Sequence, residues 1–128
     1  MLSGMRTAAQ ALGDRAEDLV ARHLRRAGWV ILGRNVRVGR AEIDVLAIDP
    51  EQRPSLVVVE VRWRSRRDFG LAEETVDHRK RARLRAAAAA LREAGALVTG
   101  VPVPRLPLRI DLVVVEPGDR TRHHRHVG

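Results

Sequence analysis

The sequence predicts a small mixed α/β domain, one sheet with helices packed against it. Apolar residues recur at helical spacing in two segments, 7 to 27 and 77 to 94, and short runs rich in valine, isoleucine and leucine fill the space between and after them. The order of these segments is helix, three strands, helix, strand, which makes a small mixed sheet with helices packed against it.

In the first segment Leu12, Ala16, Leu19, Val20, Leu24 and Ala27 form the stripe, and Gly28 stands where a C-terminal cap belongs. "WVILGRNVR" reads as a strand and "VGR" as the turn out of it; "AEIDVLAI" is a second strand, and "DPEQRP" is the loop to a third, "LVVVEVRWR". A loop containing "SRRDFG" leads to the second helix, with Asp77 as N-cap, Leu84, Ala87, Ala88 and Leu91 as stripe and Gly95 at its end. Three prolines make "GVPVPRLP" irregular. "LRIDLVVV" is the last strand, and "EPGDRTRHHRHVG" reads as a basic tail.

A chain of 128 residues is one domain's worth, read here as a single unit over 1–128 with flexible ends at 1–6 and 117–128. The absence of cysteine excludes disulfides and thiolate metal sites and fits a cytoplasmic setting. No segment has the continuous apolar character of a signal peptide or a membrane span. The net charge of +8 favours polyanionic partners, nucleic acid first. Of the 24 basic residues only Lys80 is a lysine, so an arginine-rich solvated surface is the competing explanation.

Two strands carry charge in the middle of apolar patterns. Alternation puts Leu56, Val58, Glu60, Arg62 and Arg64 on one face of the third strand and Val57, Val59, Val61 and Trp63 on the other. In the second strand Glu42, Asp44, Leu46 and Ile48 share one face, and Ile43, Val45 and Ala47 share the other. A hairpin with Ile48 opposite Leu56 sets Asp44 opposite Glu60 and Glu42 opposite Arg62. Opposed carboxylates roughly 5 Å apart at Cβ repel unless a cation lies between them. Mg²⁺ takes one or two carboxylates and keeps positions open for water and phosphate oxygens. The other reading is a solvated sheet face on which Glu42 and Arg62 form an ordinary ion pair.

"AEIDVLAID" followed by "LVVVEVRWRS" is similar to the GEID…FVEVK-R signature of the YraN family, which belongs to the PD-(D/E)xK nuclease superfamily near the archaeal Holliday-junction resolvases. "LGDRAEDLVARHLRRAGWVILGRNVR", "FGLAEETVDHRKRARLRAAAAALRE" and "LRIDLVVVE" resemble the family's other blocks in the same order. The resemblance implies a restriction-endonuclease-like core, a Mg²⁺- or Mn²⁺-dependent endonuclease, and DNA as partner, branched or junction DNA included. It implies Asp44 and Glu60 as metal carboxylates, Arg62 where the family has lysine, and Glu17 as the acidic residue completing the site. Lys80 matches a family lysine and is expected to face the Asp44–Glu60 pair. Ala41 replaces the glycine of GEID. The resolvases act as dimers, so the resemblance extends a homodimer to this chain. The alternative function is a nucleic-acid-binding protein that keeps the fold without the catalysis, because arginine at 62 cannot act as a base.

Among the remaining candidates, Trp63 falls on the core face, and Phe69 sits in a basic loop where packing competes with base stacking. Arg109 and Asp111 share a strand face and form an ion pair. His123, His124 and His126 belong to the expected tail.

Overall fold

The computed structural model of the chain describes residues 7–65 and 78–127. Helix α1 (Ala8–Arg26) begins at Thr7, whose hydroxyl accepts the Gln10 amide while the Gln10 side chain accepts the Thr7 amide. This reciprocal cap satisfies two donors that the first turn leaves open. Gly28, at φ 87°, takes the left-handed conformation that lets the chain leave the helix. Strands β1 (Val30–Val38), β2 (Ala41–Asp49) and β3 (Ser55–Trp63) follow, then helix α2 (His78–Ala94) and strands β4 (Leu108–Glu116) and β5 (Arg120–His124). Asp77, Phe69 and residues 1–6 lie outside the described residues.

The strands form one sheet in the order β1-β2-β3-β4-β5, antiparallel except for the β3–β4 pair. A parallel pair needs a crossover, and α2 lies on that connection. This mixed sheet with a helix on each side is consistent with the expected nuclease-like core.

Each helix covers one face. Ala16, Val20 and Leu24 of α1 pack on Val45, Ala47, Val57, Val59, Val61, Val113 and Val115, with Trp63 partly buried beside them as expected. Leu84, Ala87, Ala88 and Leu91 of α2 pack on Leu46, Leu56, Val58 and Ile110. The fully buried leucines, valines and isoleucine among them each contribute roughly 1.5–3 kcal/mol, the alanines less. Leu12 departs from the predicted stripe: it is 39% exposed, because it lies one turn before the helix reaches the sheet at Ala16. No helix among the described residues is long and apolar enough to cross a membrane.

The expected tail is instead a strand. Gly118 and Asp119, at φ 82° and 59°, turn the chain after Pro117, and β5 pairs with β4 from Glu116↔Arg120 to Leu112↔His124. The reason is electrostatic as well as local. Asp111, wholly buried on β4, accepts from Arg109 Nε (2.9 Å) and lies 2.8 Å from His123 Nε2, while Arg109 also donates to Asp49 at 2.7 Å. The Arg109–Asp111 ion pair is therefore present, within a larger buried network that holds β5 in place. Trp29 caps this network, with its ring 5.5 Å from His123 and the Arg109 guanidinium 5.4 Å above it. Burial alone would raise the Asp111 carboxyl, but hydrogen bonds from His123 and Arg109 outweigh it and hold the group below the usual carboxylate range.

Candidate functional site

β2 and β3 pair regularly from Asp49↔Ser55 through Ile48↔Leu56 to Val45↔Val59, the predicted register. The next step would set Asp44 against Glu60, and there the ladder ends. Val61 N–H donates to Asp44 Oδ2 at 2.9 Å, so a side chain takes the place of a backbone carbonyl.

β1 shows why. The pairs Arg34↔Val45 and Val36↔Ile43 flank Asn35, which lies opposite Asp44 and has φ 51°. Arg34 reaches Glu17 and Asp18 on α1, whereas Val36 and Ile43 belong to the α2 cluster. Alternation therefore slips by one residue in both strands at the same level, and Asp44 is turned along the sheet toward β3. Ile43 is accordingly not on the face of Val45 and Ala47, as simple alternation predicts. Asparagine takes the left-handed conformation at small cost, and the Asn35 side chain also hydrogen-bonds the Glu17 carboxyl. Asn35→Ala should cost about 1 kcal/mol in urea denaturation and Asn35→Gly clearly less. Equal losses would mean that backbone strain is not the cause.

Glu60 is 1% exposed. Arg62 Nη1, from two residues along β3, and Lys80 Nζ, from the first turn of α2, each lie 3.1 Å from its Oε2. Both are ion pairs rather than aligned hydrogen bonds, and the buried Oε1 meets no donor among the described residues. Burial first, and repulsion from Glu60 second, push the Asp44 carboxyl up to about 7, against the lowering effect of the Val61 amide. Glu17 is raised above its ordinary value, chiefly by burial, with Arg34 and Asn35 opposing.

Asp44, Glu60 and Lys80 line a cleft of about 480 Å³ between β2, β3 and α2, with Arg40 and Arg83 at its walls. Of the residues singled out in the sequence, the fold brings together Asp44, Glu60, Arg62 and Lys80. Glu17 lies on α1 against Arg34 and does not line the cleft, although its charge acts on both Asp44 and Glu42, which do. Glu42 pairs with Arg37 across β1, at 3.4 Å, instead of with Arg62, because the ladder to β3 has ended before it. Arg83 could have been found from its i, i+3 spacing to Lys80. Arg40 and Asn35 carried no sequence signal.

Two carboxylates, one with a buried oxygen lacking a donor, are a donor set suited to a hard divalent cation such as Mg²⁺. No group of three or more metal-ligating side chains occurs among the described residues, so water or substrate oxygens would complete the coordination.

The model of Uncharacterised protein family UPF0102 matches residues 16–115. The chain belongs to this family. The match runs from α1 into β4 and includes every cleft residue, and it bears out the resemblance to YraN. Among UPF0102 proteins, that of Roseiflexus castenholzii is 40% identical over 121 residues, 94% of this chain and 89% of the relative. That of Pseudomonas aeruginosa LESB58 is 36% identical over 114 residues, 89% and 85% of the two chains. A Sorangium cellulosum UPF0102 protein is 49% identical over 80 residues, 62% of this chain and 54% of the relative, so the match spans about half of that protein.

Proposed function

We propose that this UPF0102 member is a Mg²⁺- or Mn²⁺-dependent endonuclease that cleaves DNA phosphodiester bonds, with branched DNA among its substrates. The reading is carried by the convergence of Asp44 and Glu60 with Lys80 at one cleft walled by Arg40 and Arg83. Asp44 and Glu60 would hold the cation, which when bound supplies an activated water and charge neutralisation at the phosphate. Lys80 and Arg62 neutralise Glu60 and lie within reach of a phosphate entering the cleft. The guanidinium of Arg62 can grip phosphate with two hydrogen bonds, but an arginine does not serve as a base toward water. Arg40 and Arg83 would hold flanking phosphates. The cysteine-free composition suits a cytoplasmic setting, and a homodimer would present two such clefts to a branched substrate.

A second reading, a binding protein that no longer cleaves, is favoured by one observation: two cations, Arg62 and Lys80, both sit on the same oxygen of Glu60, where a metal would have to compete with them. Labelled linear and branched DNAs incubated with Mg²⁺, Mn²⁺ or EDTA separate the two. Metal-dependent cleavage that is lost in Glu60→Gln, raised in Arg62→Lys, and lowered more than binding in Lys80→Ala is the expected result. A mobility shift with both parent and Arg62→Lys inert on every substrate selects the binder.

A further inference from the structure

Acidic partners divide the arginines of this protein into two groups. Arg34, Arg37, Arg62, Arg64, Arg109, Arg122 and Arg125 all sit on carboxylates. Arg40 and Arg83, at the cleft, have no acidic partner among the described residues, and neither do Arg22 and Arg26 on α1.

The latter two line a second cavity. It has a volume of about 300 Å³ and lies between α1 and β5, on the α1 face and toward the β5 edge of the sheet, away from the β1–β2 turn that walls the cleft. Leu19 and Thr121 line it together with Arg22, His23, Arg26 and Asp119. Asp119 is already paired with Arg15 at 3.5 Å, so the cavity keeps an excess of positive charge. Arg22 and Arg26 stand about 6 Å apart along the helix axis, comparable to the spacing of neighbouring phosphates on one strand. Each offers a planar fork suited to bidentate phosphate contact.

We infer that the α1–β5 groove binds the phosphate backbone of a nucleic-acid strand, independently of the cleft, so that one chain holds two strand segments on opposite faces of its sheet. A lipid surface fits poorly. Among the described residues the exposed large apolar side chains are Leu12, Val30 and Val98, and none of them lines the groove. The inference stands on the groove's own residues, whatever the chemistry of the cleft.

The test is stoichiometric titration of a fluorescent 12-nucleotide single strand in EDTA at low salt. Arg22→Gln/Arg26→Gln removes the groove's charge and Arg40→Gln/Arg83→Gln that of the cleft; all four side chains are exposed, and glutamine is a good helix former. The parent should take up two oligonucleotides per chain and each double variant one, with the salt slope of the parent's overall binding lying ~1.4 above that of either variant for the two phosphate contacts removed. Stoichiometry or affinity unchanged in Arg22→Gln/Arg26→Gln overturns the inference. So does loss of binding to anionic phosphatidylglycerol vesicles in that variant while oligonucleotide binding persists, or a parent that binds no oligonucleotide. Metal-dependent cleavage alongside unchanged groove-variant binding leaves the endonuclease standing without the groove. Two-to-one loss of binding in a protein that never cleaves supports the groove and removes the endonuclease.

Discussion

Replacing Asp111 with alanine should cost about 3 kcal/mol, a large fraction of the stability of a domain of this size. Asp111 is wholly buried and touches Arg109, His123 and the His126 amide, so its removal strands a buried guanidinium and frees β5. Asp49 still faces Arg109 in the variant, which keeps the loss below that of a fully orphaned charge. Exposed Arg15, paired with Asp119 at 3.5 Å, is the control, and Arg15→Ala should change stability by less than about 1 kcal/mol. The pH dependence carries a definite sign. The folded Asp111 carboxyl lies below its ordinary 3.8, so its contribution is complete above that value and is lost as pH falls through the folded one. Urea denaturation of both variants measures this. A loss of under 1 kcal/mol for Asp111→Ala would show that the network adds little.

Asp44→Asn should do the opposite and stabilise the metal-free protein by about 2 kcal/mol at pH 8, with almost no effect at pH 4. The folded Asp44 carboxyl is raised from 3.8 to about 7 by burial and by Glu60. Between those values the folded state binds more protons than the unfolded one, so the parent loses stability as pH rises through the window, while the variant does not titrate there. The full shift is discounted because side chains and water relax around a buried carboxylate and lessen the penalty of charging it. Mg²⁺ should raise the melting temperature of the parent at pH 8 and leave that of Asp44→Asn unchanged, because mass action stabilises only a state that binds. Thermal melts at both pH values, with and without Mg²⁺, decide it. An Mg²⁺ shift of equal size in both proteins would remove Asp44 from the metal site.

The pairing of Ile48 with Leu56, the two helices and their apolar stripes were legible because burial imposes a period on the sequence. So was the approach of Asp44 to Glu60, which followed from counting along the hairpin. What period could not reveal is where the period breaks. The slip at Asn35 and Asp44 leaves every residue type plausible for its local strand, so Ile43 and Glu42 have neighbours other than those simple alternation predicts. β5 was hidden for a different reason. Its edge position needs few apolar residues, and the attraction that fixes it, His123 for Asp111, spans strands. The "PGD" turn was its sole local mark.

The slip in β1 also bears on self-association. β1 and β5 are the two edges of the sheet, and an edge offers unpaired amides and carbonyls to any similar strand. Along β1 the ladder shifts register between Ile31 and Gly33 and turns left-handed at Asn35, so no long flat stretch is available for a second molecule to extend. β5 is only five residues long and carries Arg120 and Arg122. The irregularity that aims Asp44 thus also resists strand-by-strand growth into aggregates, and smoothing it by mutation would be expected to lower solubility along with any function of the cleft.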